Sequence, residues 1–333
     1  FDSGEWQPSR DLGITAHAQS RALFEFSLRH SLTQYRNVRI RDAQRIGDLT
    51  LERGAEGARV VGVDLDGPVG GRVEAELVVD ASGRGSRLPR WLPSNGFRAP
   101  SKSVCEMDIC YVTGIFAKPA EWLGRAEAWV LRPRPPDTRS ATLIPIEGER
   151  WLLTLTGRFG DFPPTDLPGF LAFAASLEDK TIFERVRGCE LVVPIARYRI
   201  PRSIWHHYET VPDFPMGLVP LGDAIASFNP LYAQGMSQSA QHATVLRRWL
   251  DDADGKPPWT PARFDELRDA LAAPTQSAWH ASTVGDFAYP QTAGDRPPDL
   301  EARLRFQRGL RRLIKDDPDV HKLVFSVRHL LTV

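Results

Sequence analysis

The segment from Gly217 to Ala240, GLVPLGDAIASFNPLYAQGMSQSA, constrains the fold of this chain more than any other feature. It opens with a short apolar run, passes through Gly222 and Asp223 and an irregular stretch, and ends in a helical pattern that begins near Gly235. The pattern predicts a buried strand, a tight turn, a loop and a helix, in that order. In α/β proteins, such strand-to-helix connections bind ligands at the carboxyl ends of the strands.

The residue types in this segment suit a ligand that is rich in hydroxyl groups and carries negative charge. Gly222 lets backbone approach a ligand closely, and the Asp223 carboxylate can only accept hydrogen bonds, which suits sugar-like hydroxyls. The predicted helix start presents free N–H groups of Gly235, Met236 and Ser237, together with the positive end of the helix dipole. Such a helix end stabilises negative charge on a bound group.

The same segment resembles the second FAD motif of flavoprotein monooxygenases, Gly-Asp-Ala-Ala-His-x-x-x-Pro-x-x-Gly-Gln-Gly-x-Asn. The residues that match in register are Gly222, Asp223, Ala224, Pro230, Gln234 and Gly235. The resemblance implies that Asp223 binds the ribityl chain of FAD and that Pro230 shapes the loop beside the isoalloxazine. It also implies that Gly235 and Met236 give their amides to the pyrimidine edge of the flavin, which is negatively charged after two-electron reduction.

The segment also departs from this motif. Ile225 and Ala226 stand where the family often has Ala-His, Ala233 replaces the first glycine of Gly-Gln-Gly, and Ser237 replaces the asparagine. These departures bear on kinship with the aromatic hydroxylases proper and leave the expected FAD binding in place.

A second segment, LVVDASGRGSRLPR, which ends at Arg90, resembles the Asp-Gly motif of the same class. Its Asp-Ala-Ser-Gly form is similar to that of geranylgeranyl-reductase-like and halogenase-like members. The resemblance implies that a strand here delivers Asp80 and Gly83 to a turn facing the cofactor, and we expect Ser86 and Arg87 near its phosphates.

A third piece, QSRALFEF, resembles the helix whose arginine lies beside the cofactor in this class, and Arg21 is the matching residue. The three resemblances together extend over about residues 19–250.

The motifs and the local patterns predict an α/β fold. As the resemblance implies, we expect a Rossmann-like FAD-binding domain with an inserted α+β substrate domain built on an antiparallel sheet, followed by C-terminal helices. We place the first part of the FAD-binding domain at 1–100, the substrate domain at 101–212, the returning part at 213–252 and the helical region at 253–333. The sequence begins at Phe1 without a glycine-rich turn. We therefore expect the Gly-x-Gly-x-x-Gly unit to lie outside these 333 residues, which should then bind FAD weakly or not at all by themselves.

Apolar periodicity gives the local elements. Helices are predicted over 19–33, 167–177, 234–250, 261–272, 299–315 and 319–331. Strands are predicted at 38–40, over 104–116 as one run, and over 75–79, where we expect the last strand of an antiparallel meander.

Charge and composition limit the partners. The 42 Lys and Arg equal the 42 Asp and Glu, so no global field favours nucleic acid or an anionic membrane. No run of about 18 apolar residues and no basic-then-apolar start is present, so we predict neither a membrane span nor a secretory signal, and the default compartment is the cytoplasm. His206, His207 and Glu209 lack the i, i+4 spacing of a helical metal site, so we predict no metal.

The resemblance implies an FAD-dependent monooxygenase that hydroxylates or epoxidises a hydrophobic organic substrate through a flavin hydroperoxide, with NAD(P)H as the electron donor. In this chemistry the protein binds, orients and tunes the flavin, so no catalytic side chain is predicted. Phe228 and Tyr232 lie inside the flavin loop and are candidates for lining the substrate side. Simple packing of that loop is the alternative for both.

Two other functions stay open at this point. The Asp-Ala-Ser-Gly variant is also compatible with an FAD-dependent reductase of isoprenoid double bonds. From another class, the chain could be a catalytically inactive binding protein that kept the flavoprotein fold. Halogenation is disfavoured because the Trp-x-Trp-x-Ile signature of flavin halogenases is absent.

Overall fold

The structure, a computed structural model, describes residues 6, 8–55, 57–67, 70–132, 134–252, 260–329 and 331. Phe1, with which the sequence begins, lies outside the described residues. The helices are α1 (Arg21–Leu32), α2 (Leu88–Ser94), α3 (Leu167–Ser176), α4 (Thr181–Val186), α5 (Gly235–Asp251), α6 (Pro261–Asp286), α7 (Leu300–Asp316) and α8 (Pro318–Arg328).

The strands supply the rest of the regular structure. They are β1 (Arg45–Gly54), β2 (Gly57–Asp66), β3 (Gly71–Glu74), β4 (Val78–Asp80), β5 (Ser101–Glu106), β6 (Ile109–Ala117), β7 (Trp129–Leu131), β8 (Ser140–Ile146), β9 (Arg150–Arg158), β10 (Leu191–Ile200), β11 (Ser203–His207), β12 (Leu218–Pro220), β13 (Ala226–Ser227) and β14 (Ala293–Gly294).

The largest sheet is antiparallel and has the strand order β10-β6-β9-β8-β7. Side chains on β6 and β9 alternate between buried and half-buried, because successive residues of a strand point to opposite faces. The buried set, which includes Val112, Leu153 and Leu155, packs with Phe170 and Ile182 of α3 and α4. This sheet and its two helices therefore form one hydrophobic core.

A second core lies under helices α5 and α6 and is reached by strands from both halves of the sequence. Here β4 pairs with β12 in parallel, with Val79 opposite Val219. The Leu221 N–H donates to the Asp80 carbonyl at 3.0 Å, which fixes the two chains just where both strands end. The segments that follow β4 and β12 therefore leave the sheet at the same edge, and this places the candidate site.

Two smaller sheets complete the fold. Strands β1, β2 and β3 form an antiparallel meander. Strands β13, β11, β5 and β14 form a four-stranded sheet that joins distant parts of the chain, since β5 pairs with both β11 and β14. The predicted mixed α/β class, with an antiparallel sheet and C-terminal helices, is confirmed, whereas the domain boundaries at 101, 213 and 253 stay predictions.

Several local predictions were wrong in instructive ways. Residues 38–40 have no regular structure, because among the described residues no strand pairs with them. The run 104–116 is two strands of different sheets, since the chain turns at Asp108, where φ is +35°. The apolar run 75–79 contributes to β4, which pairs in parallel with β12 and does not end the meander. Helix α6 continues past the predicted end to Asp286 in spite of Pro274.

Among the described residues, no helix combines the length and the apolarity that crossing a membrane requires.

We expect that replacing Leu153, which is fully buried on the central strand β9, by alanine lowers the free energy of unfolding by about 2–5 kcal/mol, because the change leaves a cavity in the core. The matched control is Val192→Ala on the edge strand β10, where the side chain is exposed and the change should stay within about 0.5 kcal/mol. Urea unfolding of both variants measures the difference. Equal losses would show that β9 does not run through a packed core.

Candidate cofactor-binding site

Two turns meet at the carboxyl ends of the parallel strands β4 and β12. The turn after β4 carries Gly83, and the turn after β12 carries Gly222 and Asp223. A Cβ atom placed on Gly83 would lie 3.8 Å from the Asp223 Cβ, so the two turns are in contact. A cavity of about 310 Å³ opens beside them, and strands β10 and β11 form its other wall.

Asp223 presents a half-buried carboxylate to this cavity. Burial raises the pKa of Asp223, and the positive charges of Arg84 and Arg21 partly offset that rise. None of the described residues donates a hydrogen bond to its oxygens. A half-buried carboxylate without donors is an acceptor for groups that come from outside the protein.

Gly222 holds Asp223 in place through a backbone that other residues cannot easily adopt. Its φ is +58°, and an added Cβ would lie 2.6 Å from the Ser239 Oγ. The Gly222 N–H donates to the Nδ1 atom of the fully buried His242 at 3.0 Å. The His242 Nε2–H then donates to Thr275 Oγ1 at 3.0 Å, so this imidazole is neutral and ties the turn to α5 and α6. Burial lowers the pKa of His242 to about 4.

Asp80, the last residue of β4, is engaged within the turn that follows it. Its carboxylate accepts hydrogen bonds from the Ser82 N–H, the Ser82 hydroxyl and the Ser86 hydroxyl, all within its own turn. Asp80 therefore closes the turn, while Gly83 and Ser86 line the cavity. The guanidinium of Arg84 donates to the Arg202 carbonyl at 2.7 Å and adds positive charge to the cavity wall.

The start of α5 lies beside the carboxylate. A Cβ on Gly235 would be 3.4 Å from Asp223 Oδ1, so the start of α5 lies next to the Gly222–Asp223 turn. Met236 is 57% exposed and Ser237 is half-buried. Gln234 is buried, and its amide nitrogen donates to the carbonyls of Tyr232 and Arg328. The structure thus brings Gly83, Asp223 and Gly235 together.

The remaining predicted residues are spread more widely. Arg21 lies on the exposed side of α1 and forms an ion pair with Glu25. Ala224 is buried behind the turn, and Pro230 is exposed. Arg87 donates to the carbonyls of Ile46 and Gly47, so it holds β1 and does not reach the cavity.

Neither predicted substrate-side residue lines the cavity. Phe228 packs against Trp279 in the second core, with ring centroids 6.3 Å apart. The Tyr232 hydroxyl donates to Asp286 Oδ1 at 2.9 Å. Loop packing, the alternative weighed above, accounts for both positions.

The two adjacent histidines point apart. His206 lies in the cavity wall, and burial lowers its pKa. His207 accepts or donates at both ring nitrogens, to Ser103 Oγ and Glu209 Oε1, each at 2.8 Å. Within the described part of the chain, no group of three or more His, Cys, Asp or Glu side chains is arranged to hold a metal ion.

Sequence patterns missed a buried polar network behind the loop that leads into α5. Asn229 of that loop contacts Asp286 of α6 and Tyr111 of β6, and Asp286 also pairs with Arg158 of β9. These residues stand far apart in the sequence and belong to no motif. The single signal was Arg158 itself, a charged residue directly after the apolar strand pattern WLLTLTG.

Comparison with known proteins identifies relatives of this chain. A protein of Mycobacterium tuberculosis (strain ATCC 25618 / H37Rv), named Protein Rv3254, is 32% identical over 293 residues. The match covers 86% of this chain and 60% of that protein, so the chain spans less than two thirds of its relative's length. No protein-family model matches the chain.

Solved structures share the fold at low identity. The flavin-dependent brominase Bmp2 superimposes with a TM-score of 0.62 at 15% identity, over 93% of this chain and 70% of that one. The anhydrotetracycline hydroxylase OxyS from Streptomyces rimosus gives a TM-score of 0.54 at 18% identity, over 89% of this chain and 54% of that one. The chain therefore has the fold of these proteins, in agreement with the fold class predicted above.

The neutral His242 predicts a pH dependence of stability. Its pKa is about 4 in the folded chain against 6.5 ordinarily, so between these values the unfolded chain binds a proton that the folded chain does not. The free energy of unfolding should fall as the pH drops from about 6.5 to about 4, by roughly 3 kcal/mol from this group. His242→Asn keeps an acceptor for the Gly222 N–H. Over the same pH range, its free energy of unfolding, measured by urea unfolding, should fall less than that of the wild type by this amount.

His30→Asn, on the exposed face of α1, is the control and should leave the pH dependence of the wild type unchanged. Parallel curves for the wild type and His242→Asn would contradict a buried neutral imidazole.

Proposed function

We propose that this chain belongs to an FAD-dependent monooxygenase that hydroxylates or epoxidises a hydrophobic organic substrate. The observation that carries the proposal is the Asp223 carboxylate, which faces the cavity, lies beside the start of α5 and receives no hydrogen bond from the described residues. The motif resemblance and the shared fold support it.

The residues of the cavity fit FAD in both charge and hydrogen bonding. Asp223 would accept hydrogen bonds from the ribityl hydroxyls. The turn from Gly83 to Ser86, with Arg84 beside it, would lie against the phosphate side. The first amides of α5, at Gly235 and Met236, would donate to the pyrimidine edge of the ring.

FAD, when bound, would supply two-electron transfer and reaction with dioxygen. The chain's own contribution is to bind and orient it. The positive end of α5 would stabilise negative charge at the pyrimidine edge, because partial charges of the free N–H groups sum at a helix N-terminus. Asp223 would fix the ribityl chain, and His242 would hold Asp223 through Gly222.

Several observations support an organic, hydrophobic substrate. Tyr198, Ile200 and Ile204 contribute to the cavity wall opposite the two turns. Val192, Val193 and Tyr198 of the edge strand β10 are exposed apolar or aromatic side chains, and Tyr198 also lines the cavity. Structures with this fold include a flavin-dependent brominase and an anhydrotetracycline hydroxylase.

We further propose NAD(P)H as the electron donor. Oxygen uptake separates the monooxygenase from a reductase of isoprenoid double bonds: a monooxygenase consumes dioxygen with its substrate, whereas a reductase saturates its substrate under anaerobic conditions. A full-length protein purified without flavin and unable to bind it would instead indicate a binding protein.

Replacing Asp223 by asparagine in the full-length protein should weaken FAD binding about 10- to 150-fold, because a hydrogen bond to a charged group contributes about 1.5–3 kcal/mol. The measurement is the dissociation constant of FAD from quenching of flavin fluorescence. Asp213→Asn, at an exposed position, is the control and should bind FAD as the wild type does. Equal affinities of the Asp223→Asn variant and the wild type would remove Asp223 from the site.

Replacing Gly235 by valine should lower the two-electron midpoint potential of bound FAD. The side chain would press on Asp223 and move the first amides of α5 away from the ring. Loss of a helix-end interaction of about 0.3–2 kcal/mol corresponds to roughly 7–43 mV for a two-electron couple. A spectroscopic redox titration of both proteins, with FAD retained, measures the change.

The control is Gly309→Val on α7, where an added Cβ meets nothing within 4 Å. An unchanged potential in the Gly235→Val variant would show that α5 does not touch the flavin.

A further inference from the structure

The loop between β13 and α5 is held from behind by buried polar side chains. Its central residue, Asn229, is fully buried. The Asn229 side-chain nitrogen donates to both carboxylate oxygens of Asp286, at 2.9 and 3.0 Å. Tyr232 of the same loop donates to Asp286 Oδ1 at 2.9 Å. Asp286 is the last residue of α6, so the end of that helix fixes the loop at two points.

The five-stranded sheet holds the same loop from the other side. Tyr111 of β6 donates to Asn229 Oδ1 and accepts a hydrogen bond from the Leu231 N–H at 2.9 Å. Arg158 of the neighbouring strand β9 pairs with Asp286 Oδ1 at 2.8 Å. Asn229 is therefore clamped between one side chain of the sheet and a carboxylate that is itself paired with the sheet.

This network is a costly way to stabilise a fold. The side chains of Arg158 and Asp286 are 1% and 0% exposed, and removing two charges from water costs several kcal/mol per ion. Two nitrogens of Arg158, Nε and Nη1, find no acceptor among the described residues, which adds a further penalty. A well-packed apolar pair is often equally stable at such a position. The directional hydrogen bonds of the polar network fix the orientation of the Asn229 side chain, which an apolar pair would not do.

The charge state agrees with this geometry. Burial alone would lower the pKa of Arg158, but the carboxylate of Asp286 outweighs it and raises that pKa. Burial raises the pKa of Asp286, and the Arg158 guanidinium opposes that rise, so each charge is favoured by the other. The ring of Tyr289 lies under the guanidinium, 4.8 Å from its central carbon, and restricts its movement. The pair is thus held in one arrangement from both sides.

We propose that Tyr111, Arg158 and Asp286 are positioning residues for the cofactor-binding helix end. They fix Asn229 and, through it, the loop 228–234 that leads directly into Gly235 at the start of α5. The five-stranded sheet contributes to the proposed substrate wall, and the start of α5 would face the flavin. The network then holds these two elements at a fixed position relative to each other. The inference rests on the proposed FAD site and adds residues that line no part of its cavity.

The test uses two variants of the full-length protein and two measurements. Tyr111→Phe removes the hydroxyl and keeps the ring. Arg158→Met combined with Asp286→Leu replaces the ion pair by apolar side chains and leaves no unpaired charge behind. The control is Thr113→Val, which removes a 2.9 Å hydrogen bond to Thr154 between the same two strands, β6 and β9, and does not reach the loop.

The first measurement is hydrogen exchange of peptides covering 228–236, without FAD. The two test variants should exchange at least tenfold faster there than the wild type. Tyr111→Phe removes one of the two acceptors of the Leu231 N–H, and the double variant removes the carboxylate that accepts from the Asn229 side-chain nitrogen. The control should exchange as the wild type does. Unchanged exchange in both test variants would overturn the proposal, since the network would then not hold the loop.

The second measurement is the dissociation constant of FAD for the same proteins. Both test variants should bind FAD at least tenfold more weakly, and the control should match the wild type. Faster exchange with unchanged FAD affinity would overturn the positioning role. Failure of the proposed function is seen separately, in the Asp223→Asn comparison, which does not involve the network.

Discussion

The buried ion pair between Arg158 and Asp286 joins the two halves of this structure. Arg158 ends the central strand β9 of the five-stranded sheet, whose core contains Leu153 and Phe170. Asp286 ends α6, whose other side chains pack in the second core. Both charged side chains are buried, so each one needs the other as its partner. The pair therefore fixes the position of the sheet relative to the helix. The loop that enters α5 is fastened to this same point.

The candidate site is built from elements that are each simple. Parallel pairing of β4 with β12 brings two strand ends to one edge, so that the turns after them meet. Glycines at 83 and 222 adopt positive φ there, which lets both backbones curve around the cavity. His242, neutral and buried, holds the second turn against the helices. What these elements leave open is Asp223, whose carboxylate faces the cavity and accepts no hydrogen bond from the residues that the structure describes.

Much of this could be predicted from sequence where the signal is local. The helix over 234–250 and the turn at Gly222 follow from periodicity and residue type, and α5 begins within one residue of the prediction. The pairing partners could not be predicted, because they depend on contacts between distant segments. The strand that ends at Asp80 was assigned to a meander since only its parallel partner, at 218–220, distinguishes the two arrangements. Phe228 and Tyr232 were predicted to line the substrate side, because the sequence of a loop does not show which of its side chains point into the core. Asn229 and Asp286 carry no sequence signal, since their part arises only when sheet, helix and loop come together.

The most direct test of the central claim is a crystal structure of the full-length protein with FAD. The account predicts a ribityl hydroxyl at about 2.5–3.2 Å from an Asp223 carboxylate oxygen, within hydrogen-bonding distance. It also predicts the pyrimidine edge of the flavin opposite the amides of Gly235 and Met236. A flavin bound elsewhere, or one that leaves Asp223 without a contact, would contradict it.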